Sequence, residues 1–320
     1  MFFPAFLLYR FYFYIFVIKR CDMPKIAKQI LDLIGNTPLM ELSAYSIKYG
    51  LSFCILTIVG ILNANGQSYY DLSEKGVSCF EKDSLEQAEN YFRQALKLDP
   101  TNAHNALLFS NLGMVQQKMN KHAEAVESYS YALNFAPIAV PILLNRGSAY
   151  MNIGQNDNAY LDYCQVLDVD KDNIEALLMR AYIYTQRKDF KAGRADYEKL
   201  LKIEPTNYTA RLGLITLNQK DGKLNEALEG ITMMITENPK DATLYIARAD
   251  IECDLDKKDM ALIDLDEALR LNDSASEAYL LRGQIFLSQK KKYLAKLSFD
   301  KAISLGISAS DLQDLIKECK

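Results

Sequence analysis

From Tyr69 onward, the small and apolar residues return at a fixed step. Pro205 and Pro239 lie 34 residues apart, and Ala227, Ala261 and Ala295 keep the same interval. Framed on that period, seven units begin at Tyr69, Ala106, Val140, Ile174, Tyr208, Ala242 and Ser276. The first gap is lengthened to 37 by the three residues Ala103, His104 and Asn105. The eighth position of the unit reads Gly76, Gly113, Gly147, Ala181, Ile215, Ala249 and Gly283. The twentieth reads Ala88, Ala125, Ala159, Gly193, Ala227, Ala261 and Ala295. Position 24 supplies bulk, with Phe92, Tyr129, Tyr163, Tyr197, Ile231, Leu265 and Phe299, and position 28 is aliphatic in every unit. The pattern predicts two helices per unit, A and then B. They cross at the small positions, where a missing side chain lets the axes approach to about 8 Å. Pro100, Pro137, Pro205 and Pro239 cannot continue helix B and so end it. A fixed period of this length is the mark of a stacked array. Its last unit must cover an apolar face, and the closing "SASDLQDLIKECK", with Leu312, Leu315 and Ile316 on one side, predicts a capping helix over 310–320.

These offsets resemble the tetratricopeptide repeat, and the resemblance runs over residues 69–309. It implies an all-α fold, a right-handed superhelical solenoid of about seven helix-turn-helix repeats with a short C-terminal capping helix. Ile215 departs from the small residue expected at position eight, so the fifth repeat should cross its helices more loosely or shift slightly in register. In such a stack helix A lines the inner face, and positions 2, 5, 9, 12 and 13 point into it. The aliphatic stripe at position five (Leu144, Leu178, Leu212, Ile246 and Leu280) and the position-nine residues Tyr182, Thr216, Asp250 and Gln284 are the candidate partner-binding residues. Asp250 and Asp254 make this surface acidic near repeat 6. Two readings of position five stay open, an apolar anchor for a peptide or simple packing of helix A on its neighbour.

The charges repeat as well. Position seven is Arg146, Arg180, Arg248 and Arg282, and position 23 of the same repeats is Asp162, Asp196, Asp264 and Ser298. Repeat 5 lacks both, with Leu214 and Gly230 in their places. The co-occurrence predicts a half-buried, hydrogen-bonded Arg–Asp pair between helices A and B.

The head of the chain reads differently. Residues 51–62 are twelve residues without charge, preceded by Lys48 and followed by Ala64 and Gly66 at the −3 and −1 positions of a small-residue cleavage site. That is the pattern of a secretory signal over 40–66, too short to span a bilayer, with a mature chain starting at Gln67. Residues 1–39 read as a fused or misassigned leader. Running from it into the signal, "KIAKQILDLIGNTPLMEL" resembles the head of cysteine synthases, over residues 23–50. That family implies pyridoxal phosphate on a Schiff-base lysine, together with loops for the substrate carboxylate and the cofactor phosphate. None of those motifs follows, so no cofactor is expected.

Composition narrows the function further. Net charge is −4 overall, and residues 67–320 carry 31 basic against 38 acidic side chains, a poor match for phosphate backbones. Nucleic acid is therefore not an expected partner. The six cysteines include no CxxC pair, and His104 and His122 have no ligand partner at metal spacing, so no metal is expected. Cys79, Cys164 and Cys253 fall in different repeats and should not bridge; Cys319 is the candidate free or intermolecular thiol. Co-chaperones of this repeat family grip a carboxylate with basic and amide side chains. The corresponding places here hold Ser73, Val77, Pro141 and Asn145, so that clamp is missing. The expected protein is a non-catalytic scaffold of an exported bacterial type, in the periplasm or cell envelope, binding a peptide or protein partner. A membrane-anchored assembly factor is the alternative if the head is retained.

Overall fold

The computed structural model describes residues 54–319, with residues 54–67 described as helical backbone only. The leader, the cysteine-synthase-like head and the first part of the signal pattern lie outside the described residues. Among the described residues there are fifteen helices and no strand. The chain divides into two compact units between Asn102 and Ala103, where the three extra residues of the first gap begin.

The first unit holds α1 (Cys54–Glu81) and α2 (Leu85–Leu98). Helix α1 is continuous across Gly66 and Gln67, so no break marks the predicted cleavage point, and Tyr69 sits inside the helix rather than at its start. The intervening "NANGQ" contains no proline, and one glycine costs a helix only about 1 kcal/mol. Gly76 on α1 faces the Phe92 ring of α2, and a Cβ there would overlap the ring.

The second unit contains six helix pairs and a terminal helix. The pairs are α3 (Asn105–Lys118) with α4 (His122–Phe135), α5 (Val140–Asn152) with α6 (Asn156–Val169), and α7 (Ile174–Gln186) with α8 (Phe190–Ile203). They continue with α9 (Tyr208–Lys220) and α10 (Leu224–Glu237), α11 (Ala242–Asp254) and α12 (Lys258–Leu271), and α13 (Ser276–Ser288) and α14 (Lys292–Ser304). Helices α5, α7, α9, α11 and α13 start on the residues that open their repeats in the 34-residue frame.

The small positions work as the pattern requires, with a sharper partner than expected. A Cβ on Gly113 would lie 2.6 Å from the Tyr129 ring, and one on Gly147 would lie 2.8 Å from Tyr163. In repeats 1, 2, 3 and 7 position eight is therefore bare because the position-24 ring of the same repeat occupies the space a Cβ would need. Repeat 4 has Ala181 there, and its Tyr197 ring turns to Gly213 of the next repeat instead. Repeat 5 inverts the arrangement. Ile215 supplies the bulk and Gly230 the gap, a Cβ on Gly230 falling 3.0 Å from Ile215. Its helices α9 and α10 also have the sparsest mutual packing of any pair in the unit, in line with the looser crossing expected from Ile215.

Each helix A ends in the same way. Position 15 has positive φ in all seven repeats: Asp83, Asn120, Gly154, Lys188, Gly222, Asp256 and Lys290. The next amide donates back to the carbonyl five residues earlier, as in Lys121 N to Gln116 O at 2.8 Å and Asp189 N to Tyr184 O at 2.9 Å. This Schellman closure satisfies the last carbonyls of helix A and turns the chain sharply into helix B. Helix α15 (Gln313–Glu318) then caps the array: Leu312 is buried, and Leu315 and Ile316 pack on the cluster around Phe299.

Candidate functional site

Neighbouring A helices approach one another closely in three places in the second unit, α3 with α5, α7 with α9, and α11 with α13, and no neighbouring B helices do so to the same degree. The A layer is therefore the tighter, inner side of this unit.

On that side, Leu144, Leu178, Leu212, Ile246 and Leu280 are half-buried. They pack against the apolar clusters beneath while keeping one edge in solvent. The packing reading of position five therefore holds, and each of these side chains also keeps a solvent-facing edge. The position-nine residues stand further out: Tyr182 is 45% exposed, and Thr216, Asp250 and Gln284 are exposed. The Thr216 hydroxyl donates to Leu212 O at 3.0 Å, so its methyl remains the outward group. Asp250 and Asp254 are drawn together by Gln219 of the preceding repeat, whose side-chain amide donates to them at 2.8 and 2.7 Å. Carboxylate oxygens beyond those holding the amide remain to accept from a ligand. Burial pushes the thiol of Cys253 up to about 11, aided by Asp250 and Asp254, so it stays protonated.

Position 12 turns inward in repeats 2 and 4, whereas in repeat 5 it is Gln219, which reaches Asp250 and Asp254. Thr185 is buried, donates to Ala181 O at 2.8 Å and hydrogen-bonds the Tyr197 hydroxyl. Gln117 accepts from Tyr129 at 2.6 Å. Repeat 3 has Met151 at this position, and the hydroxyl of the fully buried Tyr163 has no partner.

The Arg–Asp register holds the two helix layers together. Arg146 donates through Nε and Nη2 to Asp162 at 2.8 and 2.7 Å, Arg180 to Asp196 at 2.7 and 2.8 Å, and Arg248 to Asp264 at 2.6 and 2.7 Å. The three carboxylates are buried, and the bidentate bond raises each arginine further above its ordinary value. The third nitrogen looks backward along the array. Arg146 Nη1 donates to Ser130 at 3.1 Å, and Arg180 Nη1 to the Cys164 sulfur at 3.7 Å. Arg282, which faces Ser298 instead of an Asp, takes its acid from this rearward position, pairing with Asp266 of the preceding repeat at 3.1 Å.

Among the described residues no cluster of three His, Cys, Asp or Glu is placed to hold a metal, and no helix is long and apolar enough to cross a membrane. Cys79, Cys164, Cys253 and Cys319 are free thiols. Cys319, expected to be a free or intermolecular thiol, is free, half-buried and donates to Leu315 O at 3.2 Å, and burial raises its pKa.

The tetratricopeptide repeat profile matches residues 72–102, 140–173, 174–207 and 276–305. A tetratricopeptide repeat protein from Parabacteroides merdae is 32% identical, with a TM-score of 0.72 over 79% of this chain and 99% of that one. This chain belongs to the tetratricopeptide repeat family. Human DnaJ homolog subfamily C member 7 is 28% identical over 141 residues, 44% of this chain and 28% of its own length. Human tetratricopeptide repeat protein 6 is 25% identical over 184 residues, 58% of this chain and 29% of that protein. The chain thus spans less than a third of these curated relatives.

Tetratricopeptide repeats are protein- and peptide-binding solenoids and are typically non-catalytic. In this repeat chain, the position-five residues from Leu144 to Leu280 are half-buried and the position-nine residues Tyr182, Thr216, Asp250 and Gln284 are exposed. Two features had no reading in the sequence. Gln219 crosses a repeat boundary to organise Asp250 and Asp254, and pairing between repeats cannot be read from positions within one repeat. Large apolar side chains at positions 19 and 22 occur together only in repeats 6 and 7, a visible signal that lay outside the helix-A positions.

Proposed function

We propose that this protein is a non-catalytic scaffold whose second unit binds a peptide or an extended segment of a partner protein along its helix-A face. The observation that carries the reading is the half-buried aliphatic stripe from Leu144 to Leu280, topped by the exposed Tyr182 and flanked in repeat 6 by the Asp250–Asp254 pair. Half-buried leucines offer apolar anchor sites without movement of the backbone, and a tyrosine adds contact area at low entropic cost. The ligand this surface fits has apolar side chains facing repeats 3–5 and a basic group facing repeat 6. The acidic balance of residues 67–320 disfavours nucleic acid. The signal pattern over 40–66 supports work outside the cytoplasm, in the periplasm or cell envelope, and retention of the head would instead make the protein a membrane-anchored assembly factor. Mass spectrometry of the mature N-terminus separates the two, Gln67 marking the cleaved form.

The binding reading is tested with immobilised peptides that carry apolar residues and a terminal lysine pair. Asp250→Lys with Asp254→Lys should weaken capture at least tenfold, about 1.4 kcal/mol. Leu178→Asp with Leu212→Asp should abolish it while the helical circular dichroism is kept. Unchanged capture by both variants would refute the assignment of the groove.

A further inference from the structure

Helix B forms the outer layer of the second unit, and its positions 19 and 22 point to solvent. Those positions are glutamates in repeats 2 and 5 (Glu124 and Glu127, Glu226 and Glu229) and alanines in repeat 4 (Ala192 and Ala195). In repeats 6 and 7 all four become large and apolar: Met260 and Ile263 on α12, Leu294 and Leu297 on α14. Ile263 is 61% exposed, and Tyr293, next to Leu294, is 75% exposed. The turn leading into α14 is tied to the start of α12, since Gln289, four residues before Tyr293, donates to Asp259 beside Met260 at 3.5 Å. The five side chains expose on the order of 500 Å², a size at which an apolar patch marks an interaction surface.

The net charge around the patch differs by helix. Helix α12 carries Asp259, Asp266 and Glu267 against Lys258 and Arg270, with Asp266 paired to Arg282 and Glu267 to Arg270. Residues 290–292 are three consecutive lysines leading into α14, which adds Lys296 and Lys301 against Asp300. We propose that this outer face of repeats 6 and 7 is a self-association surface, occupied by the same face of a second copy of the chain. A two-fold axis passing between α12 and α14 sets the acidic helix of each copy on the basic helix of the other. Such an isologous contact is self-complementary by construction. It buries the apolar centre from both sides, and the flanking charged side chains extend the contact toward the size of a standard stable interface only if they take part. An anionic membrane would meet the lysines and the exposed Tyr293 well, but it would be repelled by Asp259 and Asp266 in the same patch. The second copy satisfies both halves.

Sedimentation velocity on the full chain at micromolar concentration tests this surface. The native protein should sediment as a dimer, and Ile263→Glu with Leu297→Glu should raise the dissociation constant at least tenfold with unchanged helicity. A charge-reversed pair makes the test independent of that variant. Lys292→Glu with Lys296→Glu, and separately Asp259→Lys with Glu267→Lys, should each lose self-association, and the mixture of the two should regain it as a heterodimer. A monomeric native protein overturns the proposal. So does a dimer indifferent to these substitutions, or a mixture that stays monomeric. Binding to anionic vesicles that disappears in Ile263→Glu with Leu297→Glu, without native self-association, would assign the face to a membrane instead.

Discussion

Tyr129 and Tyr163 occupy the same place in consecutive repeats, and both are fully buried, yet only one has a hydrogen-bond partner. The difference lies twelve residues upstream, where repeat 2 offers Gln117 and repeat 3 offers Met151. A made bond contributes about 1 kcal/mol, whereas a buried hydroxyl without an acceptor costs at least as much. Tyr129→Phe should therefore destabilise by about 1 kcal/mol, and Tyr163→Phe should be neutral or stabilising, as read from denaturant midpoints. Equal losses would show that Tyr163 finds a partner. Glu252 gives a second residue-scale test. It is buried, and one carboxylate oxygen has no partner. Burial raises its pKa, Asp264 adds to the rise, and Arg248 and Lys257 only partly oppose it. An acid with a raised folded-state pKa stabilises the fold below its ordinary range, and this contribution is lost as pH rises through the folded value. Glu252→Gln should therefore gain about 1 kcal/mol at neutral pH and nothing at acid pH, so thermal melts of the two proteins should converge as pH falls.

Between helices, the decisive interaction is the Arg–Asp bond that ties A to B. Arg180→Ala leaves Asp196 buried without its cation and should cost about 3 kcal/mol. A double-mutant cycle with Asp196→Ala should return a coupling of about 2 kcal/mol, and a value near zero would make the pair incidental. The turn that follows helix A is a different kind of element-scale constraint. Lys188 has φ +59° at a position where repeats 3 and 5 carry Gly154 and Gly222. Lys188→Gly should stabilise by about 1 kcal/mol through relief of the left-handed conformation, a gain visible as a raised melting temperature. The sequence showed these two elements unequally. Arg180 and Asp196 were legible because the two residue types appear and vanish together across repeats. The turn was not, because Asp, Asn, Gly and Lys all occupy position 15, and the backbone imposes the conformation without fixing the residue. Ile215 lay between these cases: its size announced a departure at repeat 5, but the compensating gap at Gly230 appeared only when the helices were packed.

Across the second unit, the stripe lies on the A helices and the outer patch on the B helices, so the two proposed contacts draw on different helix layers. The helix-A stripe was legible from the period alone, since Leu144, Leu178, Leu212, Ile246 and Leu280 share one position in five consecutive repeats. Its half-buried state was not, because the share of each leucine left to solvent depends on how closely neighbouring A helices approach. The central claim is that the inner face carries the partner. Site-specific photocrosslinking in the native cell tests it most directly, with the crosslinker placed at Tyr182 on the inner face or at Glu229 on the outer face of repeat 5. The account predicts a discrete partner adduct from position 182, lost when Leu178→Asp and Leu212→Asp are added, and none from position 229. An adduct from 229 alone, or one from 182 that survives both substitutions, would contradict it.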